Sequence, residues 1–161
     1  MKSIVIYYSE TGNTEKVAHA IASGLGAELK RVEEVKPQDI SGYDLICLGT
    51  PVYGFSPSKI VKKFIAAMPN LPGKRSATFC TVHAVGSGRT LRIMKEAIEA
   101  KGMSFIGGFY CKGVSRLVGN FGPRIFNKGR PDEEDLKRAE EFGRGLLLFK
   151  VCTSKILQVR G

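Results

Sequence analysis

The stretch Ser9-Glu10-Thr11-Gly12-Asn13-Thr14 decides how this 161-residue chain is expected to fold. It directly follows an apolar run and directly precedes a segment whose apolar residues recur at helical spacing. A helix that begins here exposes unpaired backbone N–H groups and the positive end of its dipole, and Gly12 lets an anion approach the backbone closely. The three hydroxyl side chains add further donors. We therefore predict a phosphate-binding loop between a first strand and a first helix.

Two other nucleotide-binding signatures are absent from the sequence. A P-loop requires Gly-Lys followed by Ser or Thr, and a dinucleotide-binding fold requires the G-x-G-x-x-G pattern. The remaining alternative is an ordinary polar turn in which Asn13 or Thr14 caps the helix.

Apolar runs alternate along the chain with amphipathic segments. Four runs have the length and composition of strands buried on both faces, and a fifth, more polar run is typical of a strand at the sheet edge. In chain order the buried runs are Ile4 to Tyr8, Leu45 to Leu48, Ala77 to Val82 and Phe105 to Tyr110, and the edge run is Ala27 to Val32. In the segments between these runs, apolar residues recur at helical spacing and predict helices. Pro131 and Asp132 mark the start of a last helix. This alternation predicts a three-layer, doubly wound α/β domain with a parallel sheet.

The composition is consistent with one domain inside the cell. With 43% hydrophobic residues, 161 positions can form one compact core. The N-terminus is expected to be a buried strand and not a signal peptide, and no apolar run is long enough to span a bilayer, so we expect a cytoplasmic protein.

The cysteines at positions 47, 80, 111 and 152 form no C-x-x-C pair, so no zinc or iron–sulfur site is predicted. Cys47 and Cys80 lie in apolar runs, where we expect small buried side chains.

The formal net charge is +10, and six of the fifteen acidic residues lie between positions 132 and 141. The rest of the surface is therefore strongly basic. Such a surface can attract an acidic redox partner, nucleic acid or an anionic membrane, or it can simply maintain solubility. The segment from Lys112 to Arg130 carries five cations and no acid and is predicted to be a long, functional or mobile loop. Residues 151–161 are a tail that can pack on the core, contact a partner or fray.

The loop from Ser9 to Thr14 resembles the phosphate loop of the flavodoxin family, [Thr/Ser]-x-Thr-Gly-x-Thr. Ser9, Thr11, Gly12 and Thr14 match its four defining positions. The resemblance covers residues 1–150 and implies a five-stranded parallel sheet in the order 2-1-3-4-5. It also implies that FMN binds beside strands 1 and 3.

A second family element follows the third strand, in Gly49-Thr50-Pro51-Val52-Tyr53-Gly54-Phe55. The family has an aromatic residue followed by glycine here. The resemblance implies that Tyr53 stacks on the isoalloxazine ring and that the Gly54 carbonyl turns toward the protonated N5, since glycine tolerates a positive φ. Phe55 stands where the family usually has an acid, and the chain has no tryptophan, so the flavin surroundings are expected to be less negative. Tyr53 can alternatively be a tyrosine with no ligand.

The third element is Thr81-Val82-His83-Ala84-Val85-Gly86-Ser87-Gly88, whose backbone would bind the pyrimidine edge of the ring. His83 can assist reduction as a nearby imidazole or serve only as a structural hydrogen-bonding group. The predicted cofactor contacts are thus residues 9–14, 50–55 and 83–88.

Three functions fit these observations. The first is an electron carrier that uses FMN and meets redox partner proteins, acidic ones included. The second is an FMN-dependent NAD(P)H or quinone oxidoreductase, with residues 112–130 forming one wall of its substrate pocket. The third is a binding module that has kept the fold without a redox role.

Overall fold

The computed structural model describes residues 1–119, 122–126 and 128–149, with the backbone alone for 115–119 and 122–126. Its centre is a parallel sheet formed by β1 (Ser3–Tyr7), β2 (Glu28–Arg31), β3 (Leu45–Tyr53), β5 (Arg75–Val82) and β6 (Ser104–Lys112). The order across the sheet is β2-β1-β3-β5-β6, and the short β4 (Ser56–Pro57) pairs antiparallel with β3. Counting the parallel strands alone, this is the predicted order 2-1-3-4-5, so the fold prediction is confirmed.

Four helices cover the two faces of the sheet. They are α1 (Asn13–Leu25), α2 (Lys59–Ala67), α3 (Ser87–Glu99) and α4 (Glu133–Leu148), and two 3₁₀ turns, Val32–Glu34 and Pro37–Gly42, follow β2. One apolar core joins α1 and α4 to the sheet and includes Val17, Ile21 and Leu146. A second core, with Phe64 and Met94, joins α2 and α3 to the other face. These are the predicted three layers.

The start of α4 lies where the sequence indicates. The carboxylate of Asp132 caps this helix by accepting a hydrogen bond of 2.9 Å from the backbone N–H of Asp135. Glu133 and Glu134 complete an acidic first turn, which the helix dipole stabilises.

Two of the strand predictions are wrong in detail. The run from Phe105 to Tyr110 is not buried on both faces, because β6 is the last strand of the sheet and Tyr110 is exposed. The predicted loop from Gly49 onward is strand as far as Tyr53, and Gly49 to Pro51 pair with β5. Gly49 is required by packing, since a Cβ there would lie 2.0 Å from the ring of Phe79.

The prediction of a long loop from Lys112 to Arg130 is also wrong. Ser115–Gly119 (β7) and Gly122–Phe126 (β8) pair as an antiparallel two-stranded arm. Pairing in this way satisfies backbone groups that a loop would leave to water. The tail at 151–161, with Cys152, lies outside the described residues.

Cys47 and Cys80 are fully buried, as predicted. Cys111 is also buried and, like them, is a free thiol. Among the residues that the structure describes, no helix combines the length and apolar character needed to cross a membrane.

Candidate functional site

Four connections meet at the carboxyl-terminal edge of the sheet, where open α/β folds bind ligands. They follow β1, β3, β5 and β6, and they enclose a cavity of about 550 Å³, which we call the main hollow. It is lined by Glu10, Thr11, Asn13, Thr14, Pro51, Val52, Tyr53, Thr81, Val82, His83, Gly113 and Val114. This volume lies in the range of small-molecule sites.

The loop after β1 turns sharply into α1. Gly12 has φ +82° and immediately precedes the helix, and no side chain caps the first turn. The alternative in which Asn13 or Thr14 is the cap is therefore wrong. Ser9 Oγ accepts a hydrogen bond of 3.1 Å from the Gly12 N–H, and the Arg31 guanidinium donates to the Ser9 carbonyl at 2.8 Å. The first turn of α1 thus keeps its backbone N–H groups available to a ligand.

The Asn13 side chain organises the loop. Its Nδ2 donates to Thr11 Oγ1 at 3.0 Å and to the carbonyl of Val114 at 2.8 Å. Both protons of the amide are used in this way. Because Thr11 accepts from Asn13, its own hydroxyl proton remains available to donate.

A second hydroxyl pair lies at the base of the main hollow. Thr14 Oγ1 and Thr81 Oγ1 are 2.8 Å apart, and both side chains are buried. Two hydroxyl groups carry two protons, and the bond between them uses one. The pair therefore presents one further donor.

These groups fit a phosphate. The main hollow offers hydroxyl protons and the helix N-terminus, and no Lys or Arg is among the described residues that line it. A Cβ at Gly12 would meet nothing within 4 Å, so the loop is open at this point. Such a donor set suits a dianion bound by N–H and O–H groups, as the terminal phosphate of FMN requires.

The turn between β3 and β4 borders a second cavity of about 310 Å³, the side hollow, which lies between residues 52–55 and 82–85. Gly54 and Phe55 both have positive φ, +54° and +66°, which is typical of the two-residue hairpin turn that joins Tyr53 to Ser56. Tyr53, Phe55 and Val85 are 41%, 49% and 65% exposed. An apolar rim around the side hollow is therefore open to solvent.

The predicted contacts divide into three groups. Those that line one or both hollows are Glu10, Thr11, Asn13, Thr14, Pro51, Val52, Tyr53, Gly54, Phe55, His83, Ala84 and Val85. Ser9 and Gly12 line neither hollow and shape the loop between them. Thr50, Gly86, Ser87 and Gly88 also line neither.

Thr50 and Gly86 have structural roles. The Thr50 hydroxyl accepts from the Ser58 N–H at 2.9 Å and donates to the Pro51 carbonyl at 2.9 Å, so it braces the connection from inside. Gly86 precedes α3 with φ +106°, and a Cβ there would lie 3.0 Å from Phe55. Ser87 and Gly88 begin α3.

Five residues of this site lie outside the predicted contacts. Tyr8 donates its hydroxyl to Glu10, Thr81 pairs with Thr14, Val82 lines both hollows, and Gly113 and Val114 close the main hollow beside Asn13. Thr81 and Val82 belong to the third family element and could have been included, because strand ends meet at one edge of the sheet. The other three depend on contacts that no local pattern reveals.

The doubly wound sheet, with an uncapped helix start at the edge where open α/β sheets bind ligands, defines the class of doubly wound α/β domains. Comparison with known proteins narrows this class. The Flavodoxin domain family matches residues 4–107. The chain belongs to the flavodoxin family.

Several known proteins are similar in sequence to this chain. An uncharacterized protein of Methanocaldococcus jannaschii is 30% identical over 154 residues, which cover 91% of this chain and 99% of the relative. A flavodoxin of Megasphaera elsdenii is 32% identical over 111 residues, or 64% of this chain and 80% of the flavodoxin. An NAD(P)H dehydrogenase (quinone) of Archaeoglobus fulgidus is 29% identical over 179 residues, and the match covers 88% of this chain and 93% of the relative.

A solved structure of a flavodoxin from the domain Archaea has the same fold. It superposes with a TM-score of 0.70 at 21% identity and covers 91% of this chain and 96% of its own.

Proposed function

We propose that this protein binds one FMN non-covalently and carries electrons between redox partner proteins. The observation that supports this most directly is the donor set around the main hollow. It combines the uncapped N-terminus of α1 with hydroxyl protons from Thr11 and from the Thr14–Thr81 pair. Family membership supports the same ligand.

Each connection has a distinct part in this proposal. Residues 9–14 hold the phosphate, Tyr53 and the side hollow hold the isoalloxazine ring, and residues 83–85 contact its polar edge. Glycine at position 54 allows the peptide after it to turn, because only glycine adopts positive φ without a steric penalty. FMN, when bound, supplies one- or two-electron chemistry, while the protein supplies binding, orientation and electrostatics.

A carrier must expose its site to partners. The exposed side chains of Phe55 and Val85 at the side hollow form an apolar rim that a partner protein can contact directly. Burial of such a rim in a complex excludes water from the contact.

An FMN-dependent NAD(P)H or quinone oxidoreductase is the second candidate. The similarity to the NAD(P)H dehydrogenase (quinone) of A. fulgidus over most of this chain favours it. In this candidate the arm formed by β7 and β8 provides one wall of a substrate pocket, since Val114 at its base lines the main hollow.

The cofactor is tested by its release. We expect the purified protein to be yellow and heat treatment to release FMN, which chromatography distinguishes from FAD. Recovery of FAD, or apoprotein that does not take up added FMN, would contradict the proposal.

A second experiment separates carrier from oxidoreductase. The FMN-loaded protein is mixed with NADH or NADPH without oxygen, and the flavin absorbance is followed. The flavin of an electron carrier loses its absorbance only when a reductase is added. Rapid bleaching by the nucleotide alone supports the oxidoreductase.

A further inference from the structure

The carboxylate of Glu10 is bound by two tyrosine hydroxyls. Tyr8 donates to its Oε1 at 2.9 Å, and Tyr53 donates to its Oε2 at 2.7 Å. Tyr8 and Glu10 follow β1, whereas Tyr53 ends β3. These two bonds, which we call the Glu10 clamp, therefore tie the phosphate-binding loop to the residue proposed to stack on the ring.

Each group of the Glu10 clamp stabilises the protonation state that the other groups need. Hydrogen bonds from Tyr53 and Tyr8 lower the pKa of Glu10. Burial and the bond to Glu10 raise the pKa of Tyr53 above its usual range, and the same kind of bond raises that of Tyr8. Near neutral pH the carboxylate is thus charged and both phenols are protonated, which are the states that the two hydrogen bonds need.

A carboxylate is unexpected in a loop built to attract an anion. Glu10 lines the main hollow together with Thr11 and Thr14, so its charge faces the region in which a phosphate would bind. A like charge in the same cavity opposes anion binding. The two phenol hydroxyls donate to this carboxylate and stabilise its negative charge. The carboxylate therefore has a role other than attracting the ligand.

We propose that Glu10 is a positioning residue, whose carboxylate holds the Tyr53 ring in place for the isoalloxazine through the Glu10 clamp and itself forms no bond to the phosphate. The inference rests on the proposed function. It also explains how an exposed tyrosine at a hairpin turn keeps one orientation: its hydroxyl is fixed at the far end of the ring. A fixed ring loses less side-chain entropy when the flavin stacks on it.

The clamp itself is tested in the apoprotein. Tyrosine carbons are labelled, and alkaline titration by NMR follows the five phenols separately, with Tyr8→Phe and Tyr53→Phe assigning two signals. Glu10→Gln should lower the titration midpoints of Tyr8 and Tyr53. Tyr43, which donates to Glu28 at 2.6 Å, is the internal control and should not move. Unchanged midpoints for Tyr8 and Tyr53 would overturn the clamp.

The positioning role is tested with a double-mutant cycle. Glu10→Ala removes both bonds of the Glu10 clamp, and Tyr53→Phe, which keeps the ring, removes one of them. Each is expected to weaken FMN binding about tenfold, and the double variant should bind no more weakly than Glu10→Ala alone, because Glu10→Ala has already released the Tyr53 hydroxyl. Additive losses would overturn the role of Glu10 as a positioning residue.

Riboflavin, which lacks the phosphate, completes the experiment. The coupling between Glu10 and Tyr53 should persist with riboflavin, because the clamp acts on the ring. Coupling that vanishes with riboflavin would overturn the inference and assign Glu10 to the phosphate. Wild-type protein that binds neither flavin would overturn the proposed function, which the apoprotein titration distinguishes from failure of the clamp.

Discussion

The hydroxyl oxygens of Thr14 and Thr81 lie 2.8 Å apart although the residues are 67 positions apart in the chain. This contact joins the first turn of α1 to the end of β5 under the main hollow. The bond between the two hydroxyls uses one proton and fixes their orientation, so the second hydroxyl proton is available to a ligand in the main hollow.

The first prediction concerns this pair. Thr81→Val removes the hydroxyl at nearly constant volume and should weaken FMN binding by about 1 to 3 kcal/mol, because a charge-assisted hydrogen bond and its orientation are lost. Thr14→Ala should lose a similar amount. A fluorescence titration of apoprotein with FMN measures both.

Thr78→Val is the matched control. Thr78 lies on the same strand, and its buried hydroxyl has no hydrogen-bond partner among the described residues, so its removal should leave FMN affinity unchanged. If Thr81→Val behaves like Thr78→Val, the phosphate does not bind at this pair.

The second prediction concerns Gly54. Valine at this position, where φ is +54°, should cost about 1 to 2 kcal/mol of stability and hinder rotation of the following peptide. If that peptide offers its carbonyl to reduced FMN, the reduction potential should become more negative by roughly 40 mV for each 1 kcal/mol lost in a one-electron step. Affinity for oxidised FMN should change much less.

Gly73→Val provides the comparison, because Gly73 also has positive φ and open surroundings but precedes β5, at the opposite edge of the sheet. It should reduce stability comparably and leave the potential unaltered. Equal potentials for both variants in an anaerobic titration would mean that the Gly54 turn takes no part in reduction.

The third prediction concerns the start of α4. The Asp135 N–H donates to the Asp132 carboxylate, and the Arg130 guanidinium lies 3.1 Å from it; both lower the pKa of Asp132 in the folded protein. A lowered folded pKa stabilises the protein above the unfolded value of about 3.9 and stops doing so as the pH falls through the folded pKa. Asp132→Asn keeps a capping oxygen without charge, so it should melt below wild type at neutral pH and converge with it in acid.

Asp132→Ala removes the cap as well and should lower the melting temperature by about 2 to 4 °C at neutral pH. Thermal unfolding from neutral pH down to about pH 3 gives both comparisons. A gap between wild type and Asp132→Asn that does not vary with pH would show that the charge has no effect.

The fourth prediction concerns the basic arm. We propose that the arm formed by β7 and β8 attracts an acidic redox partner. Its strands carry Arg116 and Arg124, Lys128 follows β8 in the sequence, and its base joins the site through the bond from Asn13 to Val114. Attraction of this kind is screened within about 10 Å at 0.1 M salt. Electron transfer with the partner should therefore slow as salt rises, and neutralising the three cations should slow it at low salt with FMN still bound.

Neutralising Lys2, Lys74 and Lys101 is the charge-matched control, because these residues precede β1, β5 and β6 at the other edge of the sheet. Stopped-flow rates should remain close to wild type for this variant. If the rates change neither with salt nor with neutralisation of the three cations, the basic charge serves solubility and not partner attraction.

The sequence alone determined the class of fold and the strand-to-helix junction that is proposed to bind phosphate. Both depend on neighbours in the chain: apolar periodicity distinguishes buried strands from amphipathic helices, and residues 9–14 combine glycine and hydroxyls at one strand-to-helix junction. The order of the strands came from the family resemblance. Periodicity did not reveal that β6 is an edge strand, because its run is apolar, unlike that of the other edge strand, β2.

Only the tertiary structure decided which polar groups meet. The bond from Asn13 to Val114 spans 101 positions, and the Glu10 clamp joins the ends of two strands. Such contacts depend on strand order and register, which bring distant residues to one edge of the sheet and are absent from any local pattern. For the same reason the sequence did not reveal that the Thr50 hydroxyl bonds to Ser58 and Pro51, or that Tyr8 and Thr81 bond to Glu10 and Thr14.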